Sequence, residues 1–253
     1  MSAFMDLNLS YTAEKSRLRS LVDTAAHLGF STVAINYLFE PTAKKKQEIP
    51  TPTPISDLID QLPVVQGRSR PIRVLNRLTV VMSDASHYRP NAAEYRSFDL
   101  LAVQPTTEKL FHAAERGLVF EVAYSAALRD ATLRRYTVGN AVALVDSCKG
   151  KNIILSSAAE QPLELRGPYD ITNLYPSVAH LAVRGLLFGL SDGDAKEAVS
   201  SSCRCAVLHA ETRRTASGII YTMKSCSDSS SQQEAPPAAC ESPAAKRAKP
   251  DTQ

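Results

Sequence analysis

Tryptophan is absent, and phenylalanine and tyrosine together bring the aromatic share to only 6%. A platform that stacks successive single-stranded bases needs several rings, so that mode of nucleic-acid binding is not indicated. Cysteine is scarce and odd in number: Cys148, Cys203, Cys205, Cys226 and Cys240. Two of these fall in a stretch with almost nothing to bury, which argues against a disulfide framework and for a reducing compartment. No apolar run approaches the roughly 20 residues that span a bilayer. Met1 to Ser10 carries Asp6 where a secretory leader would be basic and then apolar. The expectation is a soluble intracellular protein with no membrane contact. Glycine-rich dinucleotide fingerprints and phosphate-cradling GxxxxGK[ST] loops are missing, which removes the usual anchor for NAD or NTP chemistry. A large excess of charge is missing too. With 29 basic and 26 acidic side chains the net is +3, so any RNA contact must come from local clustering.

What is present is enough apolar material for one barrel-sized core: 253 residues, 44% of them hydrophobic. Short β-rich runs alternate with helical patterns. Predicted strands are Ala3 to Leu7, Thr32 to Asn36, Leu78 to Met82, Phe98 to Val103, Leu118 to Val122, Asn152 to Leu155 and Cys205 to His209. Between them, Leu18, Leu21, Val22, Ala25 and Leu28 recur at helical spacing, and Gly29 follows as a stop. Leu133, Thr137, Ala141, Leu144 and Cys148 make a second stripe, ended by Gly150. Ser191 with Asp194 resembles a capping box that opens a helix through Val199. Strand, helix, strand in repetition implies parallel pairing with right-handed crossovers. The predicted fold is an α/β, TIM-like barrel over residues 1–222, with an open doubly wound sheet as the rival. Glu40 to Pro54, with four prolines and Lys44, Lys45 and Lys46, reads as an exposed loop. From Met223 to Gln253 the composition turns to Ser, Pro, Ala and Gln and predicts a disordered tail. Lys246, Arg247 and Lys249 in that tail fit either a nuclear-import signal or a solubilising segment.

Catalytic constellations are hard to assemble. The histidines His27, His87, His112, His180 and His209 are scattered, with no pair at metal-ligand spacing. Cys203, Cys205, His209 and Glu211 alternate onto one face if that stretch is a strand. They lack a second close ligand pair, and small core residues with one satisfied histidine are the preferred reading. Ser156 and Ser157 at a strand end have no flanking glycines to form a nucleophile elbow. Asp6 falls near the predicted end of the first strand, where barrel enzymes place their chemistry, yet strand-end aspartates more often bond neighbouring amides. No metal, no cofactor and no catalytic residue is assigned.

The positive signal is basic. Gln66 to Arg77 reads QGRSRPIRVLNR, with Arg68, Arg70, Arg73 and Arg77 and no acid. The planar guanidinium donates two parallel hydrogen bonds to phosphate oxygens, and several in one loop can follow a backbone. Further candidates are Arg134 with Arg135, Lys149 with Lys151 around Gly150, and Arg213 with Arg214. Each pair can equally be a solvated surface.

Ordered segments carry a specific resemblance: TAAHLGF with VAIN (Thr24 to Asn36), KKKQEI (Lys44 to Ile49), LPVVQGRSRPI (Leu62 to Ile72), LTVVMSD (Leu78 to Asp84), TEKLFH (Thr107 to His112), RGLVFEVAYS (Arg116 to Ser125), LRRYT (Leu133 to Thr137), CKGKNIILSSAAE with RGPYD (Cys148 to Asp170), and GLLFGLS with AVLHAETR (Gly185 to Arg213). The chain resembles the thirty-kilodalton barrel subunit shared by eukaryotic ribonuclease P and ribonuclease MRP. The resemblance implies a barrel related to the polymerase and histidinol phosphatase superfamily, whose enzymes carry a metal-binding histidine pair on the first strand. Asp6, Leu7 and Asn8 occupy that place here. It also implies that catalysis belongs to the RNA, with precursor tRNA met indirectly. The implied partners are the ribonuclease P and MRP RNAs, a ferredoxin-like Pop-five type subunit in a heterodimer, and the other protein subunits. The expected location is the nucleus and nucleolus.

Two departures from the family pattern stand out. Only Ala113 to Arg116 separate the Thr107 to His112 segment from the next strand, which predicts a missing stave, and Tyr175 to Arg184 (YPSVAHLAVR) interrupts an otherwise continuous stretch. Two rivals to the RNA-scaffold reading are a metal-dependent phosphoesterase using Asp6 and His209, and a protein-interaction module that never touches RNA.

Overall fold

A computed structural model of the chain describes residues 3–41, 49–84, 93–107, 118–172 and 190–214. The Lys44 to Lys46 run, the shortened joint at Ala113 to Arg116, the Tyr175 to Arg184 insertion and the tail beyond Met223 lie outside the described residues.

Among the described residues six parallel strands form a curled half-barrel: β1 (Met5–Ser10), β2 (Thr32–Phe39), β3 (Arg73–Met82), β4 (Leu100–Pro105), β5 (Phe120–Ala123) and β6 (Ile153–Ser156). Strands β1 to β4 pair in sequence order, and β5 pairs with β6. The two groups meet where Leu9 bridges Ala159 in parallel, just past the end of β6. All of the described ladders are parallel, in keeping with the alternation of strands and helices along the chain.

The long connections follow the predicted helices. Helix α1 (Lys15–His27) buries Leu18, Leu21, Val22, Ala25 and Ala26, one stripe at helical spacing. It packs in one cluster with the sheet residues Leu9, Val33, Ile35, Val74 and Val80. Gly29 then takes φ +92°, a left-handed turn that only glycine adopts freely. Short α2 (Ile55–Leu58) precedes β3, and α3 (Ser125–Arg129) follows β5 directly. In α4 (Ala131–Cys148) the Asp130 carboxylate caps the first turn, accepting from Thr132 N at 2.7 Å and Leu133 N at 3.0 Å. The predicted stripe on this helix is shifted, because Ala141 and Val145 are buried while Leu133 is exposed. Short α5 (Pro168–Thr172) comes next. Ser191 accepts from Asp194 N at 3.2 Å and opens α6 (Asp192–Ala198), as the capping pattern predicts.

One predicted strand is a helix. Cys205 to His209 lies inside α7 (Ser201–Arg214), whose buried residues Cys203, Val207 and Ala210 are spaced at four and three. That is a helical stripe, so Cys203, Cys205, His209 and Glu211 do not share a strand face. Helix α7 lies across the N-terminal ends of the strands. Val199 O, just before it, accepts from Met5 N at 3.0 Å. At its far end Glu211 meets Arg73 at 2.6 Å, Arg213 donates to Phe98 O at 3.2 Å, and Arg214 pairs with Asp99. The buried stripe of α7 plugs the half-barrel against Leu7, Ala34, Leu75, Leu100 and Ile154.

Candidate nucleic-acid interface

Beyond this apolar plug, the concave face of the sheet turns polar. Arg77 on β3 reaches across to Glu121 on β5 with both guanidinium nitrogens, one at 2.7 Å, and donates to Leu7 O on β1 at 2.9 Å. Its Nε donates to Thr79 at 3.3 Å, Thr79 donates to Asn36 at 2.6 Å, and Asn36 donates to Asn8 at 2.9 Å. Burial alone would raise the Glu121 carboxyl, but the charge and hydrogen bonds of Arg77 hold it below its ordinary range. Arg77 therefore belongs to the interior, and its expected place among the phosphate contacts is corrected. A side chain 6% exposed and held in a fork-to-fork ion pair is not presented to a ligand at the surface.

Asp6 is also inside. Strand β1 starts at Met5, so Asp6 is its second residue and not the rim residue that the predicted strand implied. It is 1% exposed, and its Oδ1 accepts from Asn8 N at 3.2 Å and Ser157 N at 3.1 Å. Its Oδ2 is buried without a hydrogen-bond partner. Burial pushes the carboxyl up to about 6, against the pull of the hydrogen bonds from Ser157 and Asn8. His209 is exposed on the outer side of α7. The two expected phosphoesterase ligands thus sit in different environments, and among the described residues no group of three or more His, Cys, Asp or Glu is placed to hold a metal. Ser157 donates to Asn8 O at 3.2 Å and accepts from Ala159 N at 3.1 Å, which joins β6 to β1.

The other basic candidates sort by position. Arg68 and Arg70 occupy the turn before β3, where Val65 N donates to Arg70 O at 3.1 Å and Gly67 takes φ +72°. Arg70 is exposed and Arg68 half-buried. Arg73, at the start of β3, is tied to Glu211, and Arg213 is tied to Phe98 O. Both anchor α7. Lys149 and Lys151 are exposed in the turn that feeds β6, with Lys149 at φ 53° and Gly150 at φ 73°. Arg134 and Arg135 are exposed on the first turn and a half of α4, roughly 20 Å along the helix from Lys149 at 1.5 Å per residue. Arg134 spends its Nε on Ala127 O at 2.8 Å.

The structure therefore brings the Arg68–Arg70 and Lys149–Lys151 turns to the same end of the half-barrel and places Arg134 and Arg135 toward the other. Arg204, exposed on α7 between the two turns, is a cation that the sequence reading missed. Reading its stretch as a strand concealed it; the spacing of Cys203, Val207 and Ala210 is the signal that would have revealed the helix.

Fold and site together define a parallel α/β half-barrel, closed at one end by a helix and carrying cationic turns on that end. The family described as RNase P subunit p30 matches residues 3–114 and 111–215, and the chain belongs to it. The ribonuclease P protein subunit p30 of Mus musculus is 47% identical over 270 residues, covering 94% of this chain and 97% of the relative. A probable ribonuclease P protein subunit 3 of Schizosaccharomyces pombe is 26% identical over 244 residues, covering 83% and 95%. Among solved structures, a chain from a cryo-EM structure of archaeal ribonuclease P with mature tRNA shares the fold. Its TM-score is 0.55 at 11% identity, over 88% of this chain and 98% of that one.

Proposed function

We propose that this chain is a non-catalytic protein subunit of ribonuclease P that binds and stabilises the catalytic RNA for removal of the 5′ leader from precursor tRNA. The observation that carries the reading is the 47% identity, over nearly the whole length of both chains, to a ribonuclease P protein subunit. The basic turns at the closed end of the half-barrel support it, because arginine and lysine in exposed turns suit phosphate oxygens. Arg68, Arg70, Lys149 and Lys151 are the phosphate contacts of this reading, with Arg135 a separate contact at the other end of α4. In the same reading the RNA performs the cleavage, a Pop-five type subunit is the heterodimer partner, ribonuclease MRP is a second destination, and the particle resides in the nucleus and nucleolus.

Purification of the tagged full-length chain from cells, followed by sequencing of the bound RNA, tests the assignment. Enrichment of the ribonuclease P RNA, together with 5′-leader cleavage in the eluate, is the expected result. An eluate without structured RNA overturns it.

A further inference from the structure

The two basic turns are not isolated features, because α7 runs from one to the other. At its start, Ser201, Ser202 and Cys205 line an open cavity of about 310 Å³ with Val119, Glu197 and Asn152, and Asn152 adjoins Lys151. At its finish, Glu211 holds Arg73, three residues beyond Arg70. The helix has 14 residues, a length of about 20 Å at 1.5 Å per residue. Its inner stripe is buried against the strands, whereas Arg204, Cys205, Leu208, His209 and Thr212 face outward.

Charge on this end is mainly basic, although the exposed acids Asp194, beside Gly150, and Glu197 flank the Lys149–Lys151 turn. Glu211 and Asp99 are engaged by Arg73 and Arg214, while Arg70, Lys149, Lys151 and Arg204 are exposed. Glu197 borders the cavity at the helix start, which assigns the anion track to the flank of α7 and not to its N-terminus. The outward residues of α7 include no Phe, Tyr or Trp, and the lone imidazole of His209 is not a series of rings on which successive unpaired bases could stack. A surface of spaced cations with a single imidazole and no larger ring matches the backbone of a double-stranded RNA segment, which is recognised through phosphates and shape.

We propose that the outer flank of α7, with Arg204 as its central contact, joins the Lys149–Lys151 and Arg68–Arg70 turns into one continuous face that binds the phosphate backbone of an RNA duplex. This rests on the ribonuclease P reading and goes beyond it, by naming both the face and the form of RNA that it takes.

A photo-crosslinking amino acid in place of exposed Leu208, one helical turn from Arg204, separates the two claims in a single experiment on the full chain purified from cells. Recovery of the ribonuclease P RNA tests subunit membership, and crosslinks from position 208 to a base-paired segment support the duplex face. RNA recovered with position 208 crosslinked only to protein, to unpaired RNA or to nothing overturns the face and leaves membership standing. Loss of the RNA altogether, with native-like unfolding behaviour, overturns both. In parallel, binding of a 16-base-pair RNA duplex and of its single strand is measured by fluorescence anisotropy. Arg204→Ala should weaken the duplex about 3- to 10-fold at 0.1 M salt and lower the salt slope by about 1. Arg19→Ala, on the outer helix α1, should change neither. An unchanged duplex affinity for Arg204→Ala, or preference for the single strand, overturns the proposal.

Discussion

Arg77 and Glu121 form an ion pair across the hollow of the half-barrel, from the third strand of the four-stranded group to the outer strand of the two-stranded one. Among the described residues β1 and the β6 end are joined by the bridge at Leu9, the hydrogen bonds of Ser10 to Ala158 O and Ala159 O, and those around Ser157. The pair is therefore a strut that sets how tightly the sheet curls, and Arg77 also grips β1 through Leu7 O.

Removal of one partner leaves a buried charge without its counterion, which costs about 3–5 kcal/mol. Arg77→Met and Glu121→Leu alone should each lower stability by that order in urea titration. The double variant should recover much of the loss, since two apolar side chains leave no charge stranded. A double variant as unstable as the sum of the singles would show that the pair does not act as a unit.

Asp6 predicts a dependence of stability on pH. Its carboxyl, pushed up to about 6 from an ordinary value of 3.8, binds its proton more tightly in the folded chain than in the unfolded one. Its contribution is then fully present below about pH 4 and declines as pH rises through 6, to a penalty of at most about 3 kcal/mol at neutral pH. Asp6→Asn keeps an acceptor for the Asn8 and Ser157 amides and removes that charge. Its denaturant stability should equal or exceed the parent at pH 7.5, and the advantage should shrink as pH falls and vanish below about pH 4. An advantage that instead grows with acidity would refute the buried, proton-retaining carboxyl.

Much of the fold was legible in the sequence, because parallel strands and crossover helices leave strong periodic signals. The α1 stripe, the Gly29 stop and the Ser191 cap all appear as read. The failures have physical causes. Cys205 to His209 is a five-residue run, Cys-Ala-Val-Leu-His, too short to separate a strand from a helix, and α7 buries only a narrow stripe, so the window fits either period. The end of β1 was read at Leu7, three residues short of Ser10, which put Asp6 near the rim. Arg77 looked like one more arginine of a basic loop, since nothing in the chain announces that Glu121, 44 residues later, lies opposite. The two exposed basic turns were legible as local clusters, but only the third dimension shows that α7 connects them.

Lys149 offers a test in which stability and binding move apart. It holds φ 53° at the end of α4, a left-handed conformation that costs a side-chain-bearing residue roughly 1 kcal/mol or more. Lys149→Gly should raise the unfolding free energy by up to about 1 kcal/mol. If Lys149 contacts phosphate, the same variant should bind ribonuclease P RNA more weakly and with a smaller salt slope. Unchanged RNA binding would remove this residue from the interface, whatever happens to stability.

The cysteines of α7 report whether the helix stays seated over the strand ends. Cys203 is buried, with its Sγ 3.2 Å from Ala198 O, and burial together with the nearby Asp6 and Glu121 carboxylates pushes its thiol far above the ordinary range. Cys205 is exposed on the open side. A thiol needs its ionised form and an approach path to react, so a water-soluble disulfide reagent at pH 8 should modify Cys205 quickly and leave Cys203 protected. Protection of Cys203 should be lost together with global unfolding, because its stripe is part of the plug formed with Leu7, Leu75 and Ile154. Reaction of Cys203 at a rate near that of Cys205 in native conditions would mean that α7 swings open, and the duplex face would then not be a fixed surface.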